Sequence, residues 1–210
     1  MELCILARHA ESTYNVAGLV NGDPSLAVAL SPLGVEQARA LGEELARFQV
    51  DLVLHSRFPR AAETARLALG EVALPVPFVS EPLLDDIGCG RMEGALVQRD
   101  HTWRSGRGRD QRPAGGESIR EAALRIAAAL RTVSSRPEEV IVVVTHELVV
   151  RYALNATADN EDISSPWREI PNATPFVLER EAMARAAERI EVLALGPWGK
   201  AVPGVRANGG

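Results

Sequence analysis

Leu3-Cys4-Ile5-Leu6-Ala7-Arg8-His9-Ala10-Glu11, with Asn15 just beyond it, is the stretch whose reading decides the fold. Its apolar run is short and rich in residues that tolerate a pleat, so it reads as a buried strand. A strand that ends abruptly in Arg8-His9 sets a cation and an imidazole at the C-terminal edge of a sheet, where open α/β sheets bind their ligands. Alone the dipeptide proves little. Its weight comes from what the rest of the chain sends to the same edge.

The pattern repeats downstream. Residues 50–54 form a second buried run that leads into His55-Ser56-Arg57-Phe58-Pro59-Arg60. Pro59 opens a helix over residues 60–69, so Arg60 sits in a first turn whose unpaired N–H groups already favour an anion. A third short strand over 76–79 is followed by Asp85-Asp86. The β-branched run at 140–144 is the clearest strand, and Thr145-His146-Glu147 follows it at once, ahead of a helix over 148–156. Between these strands, Ser31-Pro32 reads as an N-cap and first helical residue, with Leu33, Ala38, Leu41, Leu45 and Phe48 forming the apolar stripe of the helix. Ser118 likewise opens a helix to about residue 134, through Ile119, Ala123, Ile126, Ala127 and Leu130. Asn21-Gly22-Asp23-Pro24 marks a loop over the edge.

Strand–helix alternation with crossovers of this length implies parallel neighbours and right-handed connections. Residues 174–178 and 190–195 read differently, as two strands of an antiparallel hairpin. The expected architecture is an α/β fold, a three-layer α/β/α sandwich with a mainly parallel sheet and an antiparallel edge hairpin. One domain is expected over residues 1–196, with 87–115 as a glycine- and arginine-rich cap or loop and 197–210 as a flexible Gly/Pro-rich tail.

Composition bounds the function. The chain has 210 residues, 46% hydrophobic and 24% charged, and a net charge of −5, which argues against nonspecific binding to nucleic acid or an anionic membrane. No run approaches the roughly 18 apolar residues of a membrane span, and the first apolar run, preceded by Glu2, lacks the form of a signal peptide. A cytoplasmic location follows as the default. Cys4 and Cys89 make neither a disulfide framework nor a zinc site. Lys200 is the one lysine among 23 basic residues, so any phosphate chemistry here must use arginine.

Arg8, His9, Arg60, Asp86 and His146 follow separate strands, and a parallel sheet would bring them to one edge. Two histidines and a carboxylate could hold a metal, but arginine beside such ligands repels a cation, so an anion pocket is the better reading. Arginine's planar fork matches a tetrahedral oxyanion and stays charged. Structural alternatives remain beside this reading: Asn15 and Asn21 as turn residues, Arg60 paired on its own helix, His146 as a satisfied buried histidine.

These residues recur in order with Leu33-Gly34, Gln37-Ala38, Ser56, Ala61, Thr64, Gly90, Glu93-Gly94 and Gly116-Glu117-Ser118. The set, over about residues 1–178, resembles the histidine phosphatase superfamily in its phosphoglycerate-mutase-like branch. The resemblance implies that His9 is a nucleophile forming phosphohistidine, and that Arg8, Arg60 and His146 hold the phosphoryl oxygens. Asp86 would be the proton donor, and Asn15, Asn21 and Gly22 would contribute to phosphate or substrate binding. It implies no metal and no cofactor. The substrate would be a small-molecule phosphate ester, and a homodimer is left open.

The match has departures. Ala10 and Glu147 stand where the family commonly has glycine. A methyl at position 10 would cost about 1 kcal/mol if the backbone there needed positive φ. Glu147 could raise the pKa of His146, oppose a dianionic substrate, or point into solvent. Aspartate stands where the branch usually has a glutamate donor, which keeps Glu93, Asp85 and Glu11 open as substitutes for Asp86. Only residues 87–115 separate Asp86 from Gly116, too short a segment for the sequestering loop of a mutase. Hydrolysis is therefore expected ahead of a phosphoglycerate-mutase-type transfer, with a catalytically weak phospho-ligand binding protein as the remaining alternative. The same segment carries six arginines (Arg91, Arg99, Arg104, Arg107, Arg109, Arg112) against three carboxylates. They read either as a solvated loop or as a greeting for a second acidic group on the substrate.

Overall fold

A computed structural model describes residues 1–70, 76–105, 107–164 and 170–196. The strands are β1 (Leu3–Arg8), β2 (Leu52–His55), β3 (Phe78–Ser80), β4 (Val140–Thr145) and β5 (Pro175–Glu179). The helices are α1 (Thr13–Ala17), α2 (Pro32–Leu45), α3 (Pro59–Leu69), α4 (Val97–Ser105), α5 (Ile119–Ser134), α6 (Glu147–Thr157) and α7 (Arg180–Leu195). The sheet runs β3-β2-β4-β1-β5, with parallel pairs except β1 with β5, which is antiparallel. The expected tail at 197–210 lies outside the described residues. Among those described, no helix is long and apolar enough to cross a membrane.

Strand alternation builds the three layers. Cys4, Leu6, Ile141 and Val143 point to one face, where they meet the apolar sides of α5, α6 and α7 through Ile126, Leu130, Tyr152 and Ile190. Ile5, Ala7, Val142 and Val144 point to the other, against Ala38, Leu41 and Leu45 of α2 and Ala65 and Leu69 of α3. The central strands are thus apolar on both sides, as parallel strands between helical layers must be.

Local chemistry sets the helix starts. Ser31 caps α2, its hydroxyl accepting from the Gly34 N–H, with Pro32 at the first position. Ser118 and Glu121 form a reciprocal capping box at α5. Leu33 departs from the expected stripe: it is half exposed, and Gly34, Ala38, Leu41 and Leu45 form the buried face of α2.

The edge hairpin requires a correction. Its first arm is present as β5, whereas residues 190–195 end the helix α7. Ile-Glu-Val-Leu-Ala-Leu alternates locally like a strand, but it continues an Ala/Glu/Arg/Met run of high helix propensity. Met183, Ala186, Ala187, Ile190 and Ala194 then make one buried stripe at helical spacing, and Val192 and Leu195 are exposed on the far side.

Candidate functional site

Register delivers the two histidines together. Arg8 ends β1 opposite Thr145, the last residue of β4, and the His9 N–H donates to the Thr145 carbonyl at 2.8 Å. The next residue on each strand is a histidine. Both are buried, with ring centroids 5.2 Å apart, edge to face. Arg60, in the first turn of α3, reaches between them. Its Nε–H donates to His9 Nε2 at 3.0 Å, and its Nη2 lies 3.2 Å from both His146 Nδ1 and Asp86 Oδ2. Phe58 supports this group from below, with the Arg60 Cζ 4.4 Å from its ring and His146 edge-on to it at 4.7 Å.

The partners fix both tautomers. His9 Nδ1 is 2.7 Å from the Ala10 carbonyl, which can only accept, so Nδ1 carries the proton and Nε2 keeps its lone pair. His146 Nδ1 faces the Arg60 donor, so its proton is on Nε2 and is given to Ser56 Oγ at 2.7 Å. Burial pushes both rings well below the ordinary histidine value of 6.5, and the Arg60 charge pushes in the same direction. Both are neutral imidazoles at neutral pH. That is the form in which a histidine nitrogen is nucleophilic.

The four carboxylates open for proton transfer are now distinguished. Asp86 lines the cavity above His9, is partly exposed, and lies 3.5 Å from His146 Nδ1. Asp85 turns away into an ion pair with Arg57 at 2.6 Å. Glu93 accepts from the Gly22 N–H at 2.7 Å and from Asn21 Nδ2 at 3.0 Å, and Glu11 accepts from Ser31 Oγ at 2.6 Å. Asp86 is the one of the four in contact with the histidine–arginine group.

Other predicted residues take supporting positions. Arg8 lines the cavity and its Nη1 donates to the Ile170 carbonyl at 2.9 Å. Asn15 also lines it, while its Oδ1 accepts from the Ser12 N–H in the capping box of α1. Asn21 is buried and its Oδ1 accepts from Arg60 Nη1, so it orients the arginine. Gly22 does not face His9. Its N–H is taken by Glu93, and a Cβ there would collide with the Cys89 backbone N and the Ile87 carbonyl.

Three departures resolve on geometry. Ala10 is not among the described non-glycine residues with positive φ, so its methyl is unstrained, and its N–H donates to Thr64 Oγ1 at 3.0 Å. Glu147 is ion-paired with Arg151 one turn along α6 at 2.9 Å and lines the cavity; burial raises its pKa. His146 is held well below its ordinary value, so Glu147 does not raise it. Four of the six cap arginines have partners elsewhere. Arg104 is largely buried, bound to Asp100 at 2.9 Å and to the carbonyls of Glu117 and Gly88, and Arg107 lies over the Trp103 ring. Arg109 pairs with Asp162 and Arg112 with Glu121.

The sequence reading missed two residues that brace this group. Arg125 of α5 donates to the carbonyls of Leu83 at 3.0 Å, Asp85 at 2.7 Å and Asp86 at 3.3 Å, and is anchored by Glu117 at 2.7 Å. Asn172 donates from Nδ2 to the His9 carbonyl at 2.7 Å. Glu117 was legible in Gly116-Glu117-Ser118; its partner eight residues on, on the side of α5 away from the apolar stripe, was not. The assembled site is a cavity of about 510 Å³ over His9, lined by Arg8, Arg60, Arg151, Asp86, Asp100 and Glu147 among others, with the fully buried His146 behind it in contact with Arg60.

Comparisons with known proteins agree with this geometry. The sequence profile described as "Histidine phosphatase superfamily (branch 1)" matches residues 4–192. A 2,3-bisphosphoglycerate-dependent phosphoglycerate mutase of Methylobacterium radiotolerans is 34% identical over 140 residues, 59% of this chain and 62% of that protein. Fructose-2,6-bisphosphatase of Saccharomyces cerevisiae is 29% identical over 199 residues, 89% of this chain and 41% of that protein. The chain thus spans less than two thirds of the length of these curated relatives. The crystal structure of a putative alpha-ribazole-5'-P phosphatase from Escherichia coli superposes with a TM-score of 0.71 at 25% identity, covering 84% of this chain and 89% of that one.

Proposed function

The chain belongs to the histidine phosphatase superfamily (branch 1), and from this footing we propose that it hydrolyses a phosphomonoester of a small metabolite through a phosphohistidine on His9. The phosphoryl oxygens enter the cradle of Arg8, Arg60 and His146, and take over the Arg60 Nε–H that is otherwise given to His9 Nε2. The freed Nε2 lone pair attacks phosphorus while the ester P–O bond breaks. Asp86 gives its proton to the departing alkoxide. Water then attacks the phosphohistidine, Asp86 takes back a proton, and the P–N bond electrons return to Nε2 as orthophosphate forms. The charge of the transferring group is met by fixed arginines, and the proton of the monoanionic ester passes to His146 Nδ1 and turns it into a donor, so the scheme uses no metal or organic cofactor. A cytoplasmic setting fits this chemistry and the acidic composition.

The observation that carries the reading is the fixed tautomer of His9: the Ala10 carbonyl on Nδ1 turns the Nε2 lone pair into the arginine cradle. A module that only bound phosphate would gain nothing from an aimed nucleophile. The test is turnover of p-nitrophenyl phosphate and 3-phosphoglycerate in EDTA by wild type and His9→Ala. Phosphate release by wild type alone is the expected result. Isomerisation of 3-phosphoglycerate with a bisphosphoglycerate primer and little phosphate release would establish the mutase reading instead.

A further inference from the structure

In the reading above Arg8 and Arg60 belong to the phosphoryl seat, and Arg151 is the one further cation lining the cavity over His9. Its Nη2 is ion-paired with Glu147 at 2.9 Å, and its buried Nε has no hydrogen-bond partner. None of the six arginines of residues 87–115 reaches this wall. Arg104, the nearest in chain to the wall residue Asp100, is spent on that carboxylate and on two carbonyls. The opposite charge is well represented. Asp100 and Glu147 both line the cavity, and Asp100 Oδ1 is buried with no hydrogen-bond partner. Burial, and after it the Asp86 and Asp100 carboxylates, push the Cys89 thiol on the same wall up to about 12.

The rest of the lining is mixed: Ser12, Asn15 and Asn21 are polar, while Leu19, Val20, Ile87 and Val97, with Tyr14, belong to its apolar part. The lip is held in place by backbone bonds between the two segments that form it, Val97 N–H to the Gly18 carbonyl at 2.9 Å and Val20 N–H to the Ala95 carbonyl at 2.9 Å. Val97, which lines the cavity, and its neighbour Leu96 are 50% and 60% exposed. A carboxylate or second phosphate placed against this wall would lose its hydration and face two carboxylates instead of a counter-charge. An uncharged apolar body set against Leu19, Val20, Ile87 and Val97 would bury apolar area without bringing a second negative charge beside these carboxylates.

We infer that the substrate is a phosphomonoester whose alcohol carries no second anionic group and presents an apolar body to Leu19, Val20, Ile87 and Val97. This rests on the phosphatase reading above and deepens it. None of the six arginines behind the expectation of a second acidic group lines this cavity.

The experiment separates the two levels. 2-Phenylethyl phosphate, glycerol 3-phosphate and 3-phosphoglycerate are all esters of primary alcohols, so their intrinsic leaving ability is comparable. Each is titrated calorimetrically onto the His9→Ala protein, which cannot form phosphohistidine, and each is assayed for phosphate release by wild type. The inference expects 2-phenylethyl phosphate to bind at least tenfold more tightly than glycerol 3-phosphate, and 3-phosphoglycerate to bind most weakly. In Val97→Lys the order of 2-phenylethyl phosphate and 3-phosphoglycerate should narrow by at least tenfold, since a cation then stands on the apolar wall. Equal or tighter binding of 3-phosphoglycerate to the His9→Ala protein overturns the inference whatever the turnover result. The expected binding order with no phosphate release from any ester overturns the phosphatase reading and leaves the wall assignment standing.

Discussion

Replacing Arg125 by methionine tests how the proton donor is positioned. Arg125 contacts neither His9 nor the cavity above it, yet it donates to the carbonyls of Leu83, Asp85 and Asp86 and is anchored on Glu117. Methionine keeps much of the stem and removes every one of these bonds. The ion pair is largely buried, with Arg125 18% and Glu117 19% exposed at their side chains. Hydrogen bonds to charged groups contribute about 1.5–3 kcal/mol, and the loss leaves a half-desolvated Glu117, so destabilisation of about 3 kcal/mol is expected. For a chain of this size that is a fall in Tm of about 6–12 °C. The informative readout is leaving-group dependence, measured well below the lowered Tm. In the proposed mechanism an alkyl phosphate needs the Asp86 proton as its P–O bond breaks, whereas p-nitrophenolate departs as a stable anion without it. Loosening the Asp86 backbone should cut kcat for 2-phenylethyl phosphate about 100-fold, about 2.7 kcal/mol of barrier, and for p-nitrophenyl phosphate about threefold or less. Equal losses on both esters would show that Arg125 supports the fold only, and no loss on either would show that Asp86 needs no such brace.

Three further outcomes follow from named contacts. The lowered pKa values of His9 and His146 mean that the unfolded chain binds more protons than the native one below pH 6.5. Stability is therefore complete above that pH and falls as the pH drops towards the native values, by up to about 1.4 kcal/mol per pH unit for each ring; denaturant titrations from pH 7 to 5 should show this slope, and His146→Asn should remove one ring's share. Ser56→Ala takes the acceptor from His146 Nε2–H and should lower kcat about tenfold, about 1.4 kcal/mol, with KM for p-nitrophenyl phosphate moving less. Asp86→Asn should abolish alkyl phosphate turnover while Glu93→Gln, which loosens the Asn21–Gly22 loop behind Arg60, should chiefly raise KM; the reverse pattern would transfer the donor role to Glu93.

Most of this architecture was legible because the periodicities were strong. The apolar runs of β1 and β4 have no competing helical reading, Ser31-Pro32 and Ser118 announce their helices, and parallel crossovers then force Arg8, His9, Arg60, Asp86 and His146 to one edge. The reading failed where a local pattern was weaker than its context. Residues 190–195 alternate like a strand, but only the preceding alanine-rich turns and the buried stripe of α7 reveal a helix. Leu33 fits the α2 spacing and is nonetheless half exposed, since Gly34 meets the backbone of Glu11 at that turn. At the site, identities were legible and partners were not. Nothing in one dimension distinguishes an arginine that binds phosphate from Arg104, which fastens the cap, or from Arg125, which braces the backbone of the acid. Glu147 and Arg151 could have been paired from their spacing of four on one helix; their place on the cavity wall could not.

The central claim is a covalent phosphoryl group on His9, and the most direct measurement is to trap it. Wild type mixed with a phosphate ester in EDTA and quenched in base within milliseconds should yield a peptide carrying one added phosphoryl group at His9, stable in base and lost in acid. The His9→Ala protein should yield none. Phosphate release at the wild-type rate with no phosphorylated His9 at any quench time, or with the phosphoryl group on another residue, would contradict the account.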